Sequence, residues 1–130
     1  MNIGIIPARL DSKRFPKKIL APLNGKPMVA NTVERSLMAK KLDRVILAID
    51  SRETKDALKG YGFEMVMTSK EHSSGTDRIA EVARDIKDAN IIINIQGDEP
   101  LIDPKIIDLL VTKLENPNFE FATVISKNLN

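Results

Sequence analysis

Strand-like runs that are apolar on both faces recur along this chain, and between them the apolar residues shift to helical spacing. NIGII (2–6), RVILAI (44–49) and NIIINI (90–95) place isoleucine, valine or leucine at neighbouring positions. A strand with one face in water would alternate apolar and polar residues, whereas near-continuous runs belong to sheets covered on both sides. EMVM (64–67) and EFATVI (120–125) add two shorter strand candidates. The alternation predicts an α/β domain with a mostly parallel sheet flanked by helices and right-handed crossovers.

The helices have readable limits. Val29, Val33 and Leu37 share one face of a helix predicted to run from Pro27 to about residue 39 or 40. Asp50 or Ser51 is placed to cap a second helix ending near Lys59, with Gly60 and Gly62 as terminators. Asp50 is assigned to capping rather than to ligand binding. Ser74 and Asp77 have the spacing of a capping box before the stripe Ile79, Val82, Ala83 and Ile86. Asp103 and Pro104 open a last helix whose expected buried face is Ile106, Ile107, Leu110, Val111 and Leu114.

Composition excludes several classes. At 130 residues and 42% hydrophobic, the chain suits one α/β domain, taken as 1–130. With no cysteine there is no disulfide scaffold, thiolate metal site or cysteine nucleophile. A net charge of +2 is too small for a nucleic-acid surface. Neither a signal peptide nor a run long enough to span a membrane is evident, so a soluble cytoplasmic protein is expected.

Ligands of parallel sheets gather beyond the carboxyl ends of the strands. That rule brings three polar loops to one rim. RLDSKRFPKK (9–18) carries five basic residues against the single acid Asp11. Arg9 and Arg14 can present forked donors to phosphate oxygens and Lys18 a compact charge, while Lys13 and Lys17 are expected to face solvent. Neither G-x-G-x-x-G nor G-x-x-x-x-G-K-[ST] occurs, so a dinucleotide fold and a P-loop are not supported. In TSKEHSSGTDR (68–78), Ser73, Ser74 and Gly75 let a ligand approach a helix N-terminus, although this segment alone favours a plain helix cap with a flexible entry. The single histidine, His72, is expected to be exposed. In QGDEP (96–100), Asp98 is the better candidate for Mg²⁺, which favours one or two carboxylates together with substrate phosphates. Gln96 suits a base edge or a buried structural role, and Glu99 a local salt bridge or cap.

Taken in order, IPAR (6–9), SKRFPKKIL (12–20), NGKPM (24–28), MTS (67–69), HSSGTDR (72–78) and QGDEP (96–100) resemble the 3-deoxy-manno-octulosonate cytidylyltransferases, or CMP-KDO synthetases. These are sugar nucleotidyltransferases of glycosyltransferase-A-like fold. The resemblance covers almost the whole chain and corresponds to the family's N-terminal, nucleotide-binding part. It implies transfer of CMP from CTP to an acidic eight-carbon sugar, with Mg²⁺, release of pyrophosphate, a role in lipopolysaccharide biosynthesis and a homodimer.

Carried over by motif, Arg9, Arg14 and Lys18 would contact the triphosphate, and Asp98 would hold Mg²⁺. Pro7, Ala8, Ser74, Gly75, Arg78 and Gln96 would surround the cytidine. A related acylneuraminate or other sugar cytidylyltransferase, or a non-catalytic CTP-binding fragment, remains the alternative. The family pattern P-G-K-P-L is replaced here by Pro16, Lys17, Lys18, Ile19 and Leu20. The family's later half, which supplies the acidic-sugar pocket, a further metal-binding aspartate and much of the dimer contact, has no counterpart in this sequence.

Overall fold

The first strand, β1 (Asn2–Ala8), is the centre of the sheet, and every later element is arranged around it. The computed structural model describes residues 1–11 and 15–115. The EFATVI strand candidate therefore lies outside the described residues, as do Lys13 and Arg14. The remaining elements are a small hairpin of β2 (Pro22–Leu23) and β3 (Lys26–Pro27), then α1 (Met28–Leu37), β4 (Arg44–Ile49), α2 (Arg52–Leu58), β5 (Glu64–Met67), α3 (Gly75–Arg84), β6 (Ile91–Asn94) and α4 (Pro104–Leu114). The main sheet has the order β5-β4-β1-β6, and all its pairings are parallel. The expected parallel sheet flanked by helices is what the chain forms.

Period-two geometry divides the core. Ile3 and Ile5 of β1, with Ile46 and Ala48 of β4, meet Ile79 and Val82 of α3 on one face. Ile6, Ala8, Leu47, Ile49 and Ile93 meet Val29 and Val33 of α1 and Ile107 and Val111 of α4 on the other. Each fully buried isoleucine or leucine contributes about 1.5–3 kcal/mol, so both layers are needed to hold the strand ends in place.

Several local expectations change. Strand β1 runs past the apolar stretch 2–6 to Ala8, with Pro7 opposite Ala48 of β4. Ile5 accepts a hydrogen bond from the Ile95 N–H at 3.0 Å, so Pro7, two residues on, turns its nitrogen towards that same side. The missing N–H therefore costs no bond to β4, and on its own side β6 has already ended at Asn94. Helix α1 stops at Leu37, where Met38 and Ala39 tighten onto the carbonyls of Arg35 and Ser36. Its buried stripe includes Thr32 and Ser36, while Leu37 is exposed. On α4, Ile106 is likewise exposed, leaving Ile107 and Val111 as the fully buried pair.

The caps are largely as the sequence predicts. The Asp103 side chain accepts from the Lys105 N–H at 2.9 Å, with Pro104 opening α4. Ser74 accepts from the Asp77 N–H at 3.2 Å, while the Asp77 carboxylate takes the Ser73 hydroxyl instead of closing the box. Asn24 and Gly25 both have positive φ, the requirement of the tight turn between β2 and β3.

Candidate functional site

Strand order reverses between β1 and β6. The chain leaves β1 towards β4 on one side, and β6 returns on the other. Loops leaving the two carboxyl ends diverge there and open a crevice. A cleft of ≈ 250 Å³ occupies this position. One wall is Pro7, Arg9, Asp11, Lys18 and Ile19, a second is Gln96, Gly97 and Asp98, and a third is His72–Gly75 with Arg78. A larger groove of ≈ 390 Å³ runs between α3 and β6, but its lining contains no charged residue. Chemistry, not volume, distinguishes the smaller cleft.

Close backbone approach shapes the rim. A Cβ on Gly97 would lie 3.0 Å from the Pro7 carbonyl oxygen, and one on Gly75 would lie 3.1 Å from Pro7 Cγ. Pro7 is therefore held between the loop after β6 and the first residue of α3. The buried Thr32 hydroxyl donates to the Gly97 carbonyl at 2.9 Å, fixing the QGD turn to α1.

The cations and carboxylates meet across the cleft. Lys18 begins a short 3-10 turn, and its Nζ lies 3.4 Å from Asp98 Oδ2, with side chains 41% and 49% exposed. A pair this open contributes at most about 1 kcal/mol and is readily exchanged for a ligand. Lys17, in the family's glycine position, keeps a glycine-like backbone with φ 56° and ψ 35°. Its ammonium pairs with Glu53 at 2.9 Å, away from the cleft lining. The left-handed backbone at Lys17 is the turn that leads into Lys18.

Of the sequence-predicted residues, Pro7, Arg9, Lys18, Ser74, Gly75, Arg78, Gln96 and Asp98 line this one cleft. Ala8 adjoins them at the end of β1 but is wholly buried and packs with the core. Arg14 lies outside the described residues. Gln96 Nε2 donates to Asn94 Oδ1 at 3.3 Å. Asp11 and Ile19 also line the cleft without having been assigned to it. Asp11 was legible as the lone acid of the basic run; Ile19 carried no signal.

Two expectations require correction. Asp50 does not cap α2: Ser51 does, accepting from the Glu53 N–H at 3.1 Å. The Asp50 carboxylate turns inward, accepting from the Leu10 N–H at 3.0 Å and facing Arg78 Nη2 at 3.5 Å. His72 is not fully exposed, because its Nε2 lies 2.5 Å from Glu81 Oε1 and its ring borders the cleft. That bond, reinforced by the Ser69 N–H, lowers the Glu81 pKa below its ordinary value.

Comparison with known proteins assigns the family. The cytidylyltransferase family model matches residues 3–130. The chain belongs to the cytidylyltransferase family. It is 48% identical over 126 residues to the 3-deoxy-manno-octulosonate cytidylyltransferase of Trichlorobacter lovleyi, covering 96% of this chain and 50% of that protein. An 8-amino-3,8-dideoxy-manno-octulosonate cytidylyltransferase from a Shewanella species is 46% identical over 126 residues, covering 94% of this chain and 51% of that protein. The solved structure of a CMP:2-keto-3-deoxy-manno-octonic acid synthetase complexed with CTP superposes with a TM-score of 0.86 at 36% identity, over 92% of this chain and 50% of that one. This cytidylyltransferase chain spans about half the length of the relatives it matches. Among the described residues, no helix is long and apolar enough to cross a membrane.

Proposed function

We propose that this chain is the nucleotide-binding part of an enzyme that transfers CMP from CTP to the anomeric hydroxyl of 3-deoxy-manno-octulosonate. The observation that supports this most is the convergence of Arg9, Lys18, the α3 N-terminus and Asp98 on one cleft at the strand-order reversal. The sugar oxygen attacks the α-phosphorus, the bond to the bridging oxygen breaks, and pyrophosphate leaves. Such transfer depends on position and charge, and needs no covalent nucleophile.

In this reading Arg9 and Lys18, with Arg14 of the same loop, neutralise the triphosphate and its departing pyrophosphate. The N-terminus of α3, at Ser74 and Gly75 in the cleft lining, adds its positive dipole end to the same site. Gln96 and the backbone near Pro7 and Ala8 border the cytidine, with Ser74 and Gly75 forming the opposite wall. Asp98 is half exposed within the cleft and so suits Mg²⁺, with Asp11 a second carboxylate in the same lining. Among the described residues no group of three or more His, Cys, Asp or Glu is placed to hold a metal, consistent with an ion that shares its coordination with substrate phosphates. When bound, Mg²⁺ would polarise the α-phosphate. Before nucleotide arrives, Lys18 offsets the charge of Asp98.

The acceptor has a second candidate, the 8-amino-3,8-dideoxy sugar named for the Shewanella relative. Lipopolysaccharide assembly would consume the activated sugar, and a cytoplasmic homodimer belongs to the same proposal. The test incubates the protein with CTP, Mg²⁺ and either octulosonate, following CTP binding and pyrophosphate release. Release that Asp98→Ala lowers by on the order of 100-fold supports the enzyme. Binding without release marks a nucleotide-binding part. A folded protein that binds no CTP, or treats CTP, UTP, ATP and GTP alike, refutes the assignment.

A further inference from the structure

Arg78 borders the cleft, yet it is only 2% exposed and its guanidinium is already engaged. Nη1 donates to Thr68 Oγ1 at 2.5 Å and to the Ser69 carbonyl at 2.8 Å. Nη2 lies 3.5 Å from Asp50 Oδ2, and Asp50 is itself only 7% exposed. The second Asp50 oxygen accepts from the Leu10 N–H, between the cleft residues Arg9 and Asp11. Thr68 closes the arrangement, its hydroxyl donating to the Ile49 carbonyl at 2.8 Å.

One buried side chain from α3 thus joins three separate segments. Through Asp50 it reaches the start of the basic loop, through Thr68 the end of β4, and through Ser69 the loop that leads to Ser74 and Gly75. The forked, planar guanidinium suits this role because its donors diverge in fixed directions. Nη1 is taken by two protein acceptors, Nη2 faces Asp50 and the side chain has almost no open surface, so little donor capacity remains for a phosphate.

Building on the nucleotide-site reading above, we propose that Arg78 and Asp50 are positioning residues for the nucleotide. They act through Leu10, Thr68 and Ser69 to set the spacing of the basic loop and the α3 entrance. Arg78 contributes no direct contact to the triphosphate or the base. A buried ion pair is a poor source of net stability compared with apolar side chains of similar volume, whereas removing one partner leaves the other charge stranded. Position and stability can therefore be separated by substitution.

The experiment measures CTP affinity by calorimetry and thermal midpoint by circular dichroism, on the 130-residue chain with Mg²⁺. Asp50→Leu and Arg78→Met should each lower both quantities. The double variant should regain most of the midpoint, yet bind CTP on the order of tenfold more weakly than the unaltered protein, because Leu10 N–H and Ser69 C=O lose their partners. Recovery of affinity together with the midpoint would overturn the proposal.

Thr68→Val supplies an independent arm, since it leaves both charges in place. Severalfold weaker binding, restored in Thr68→Ser, supports positioning; unchanged binding in Thr68→Val overturns it. That arm decides the matter where the double variant does not fold. Absence of CTP binding by the unaltered protein refutes the underlying nucleotide reading instead.

Discussion

Replacing Gly97 with alanine should damage the fold and the cleft together. The new Cβ would lie 3.0 Å from the Pro7 carbonyl oxygen, 3.6 Å from Ile6 Cγ2 and 3.7 Å from Val29 Cγ2. The first contact is tight and its partner is backbone in the central strand, paired with β4 through Pro7 and Ala48. On the other side, the Thr32 hydroxyl holds the Gly97 carbonyl at 2.9 Å. Relief therefore requires the QGD turn to move as a unit, carrying Gln96 and Asp98 with it.

Overpacking of this kind costs about 1–3 kcal/mol. Alanine returns roughly 0.4–1 kcal/mol by restricting the unfolded chain. The net loss of about 1–2 kcal/mol corresponds to a midpoint lower by on the order of 3–10 °C. Thermal unfolding and CTP titration of Gly97→Ala should show both effects, alongside Gly60→Ala as a control. Gly60 has nothing within 4 Å of its built Cβ and no positive φ, so its substitution should be neutral or slightly stabilising. If Gly97→Ala matches Gly60→Ala in midpoint and affinity, the close-approach reasoning is wrong.

Thr54 is fully buried on α2, and its hydroxyl has no hydrogen-bond partner among the described residues. Thr54→Val should raise stability by about 1 kcal/mol in urea unfolding, since it removes an unpaired polar atom at nearly constant shape. The Arg44 guanidinium, joined to Glu64 by hydrogen bonds of 2.8 and 3.0 Å from Nε, lowers the Glu64 pKa below its ordinary value of 4.5. Its stabilisation is present above that value and disappears as pH falls through the depressed one. Glu64→Gln should therefore lower the thermal midpoint at neutral pH by the equivalent of no more than about 1 kcal/mol. The difference should close as pH falls through the depressed Glu64 pKa, and a gap independent of pH would contradict the assignment.

Legibility in the sequence followed the range of the interactions. Strands β4 and β5 could be bounded to the residue, because uninterrupted apolar runs and flanking turns are local signals. Asp103 and Ser74 could be recognised as caps because a capping side chain bonds backbone N–H groups two or three residues ahead. The alternative left open between Asp50 and Ser51 has the same origin. Both stand at the start of α2, and only the approach of Leu10, 40 positions away in the chain, draws Asp50 inward.

The amino-acid pattern by itself determined the α/β class, the order of strands and helices, and which polar loops leave carboxyl ends of strands. These follow from side-chain periodicity, turn chemistry and the sidedness of parallel sheets. Tertiary structure alone decided how those loops close into one cleft, because the sheet order sets β6 beside β1. It brought Lys18 to Asp98 across 80 positions, set Arg78 against Asp50 and Thr68, and packed Gly97 against Pro7. Those relations depend on distances between segments remote in the chain, which no local spacing encodes.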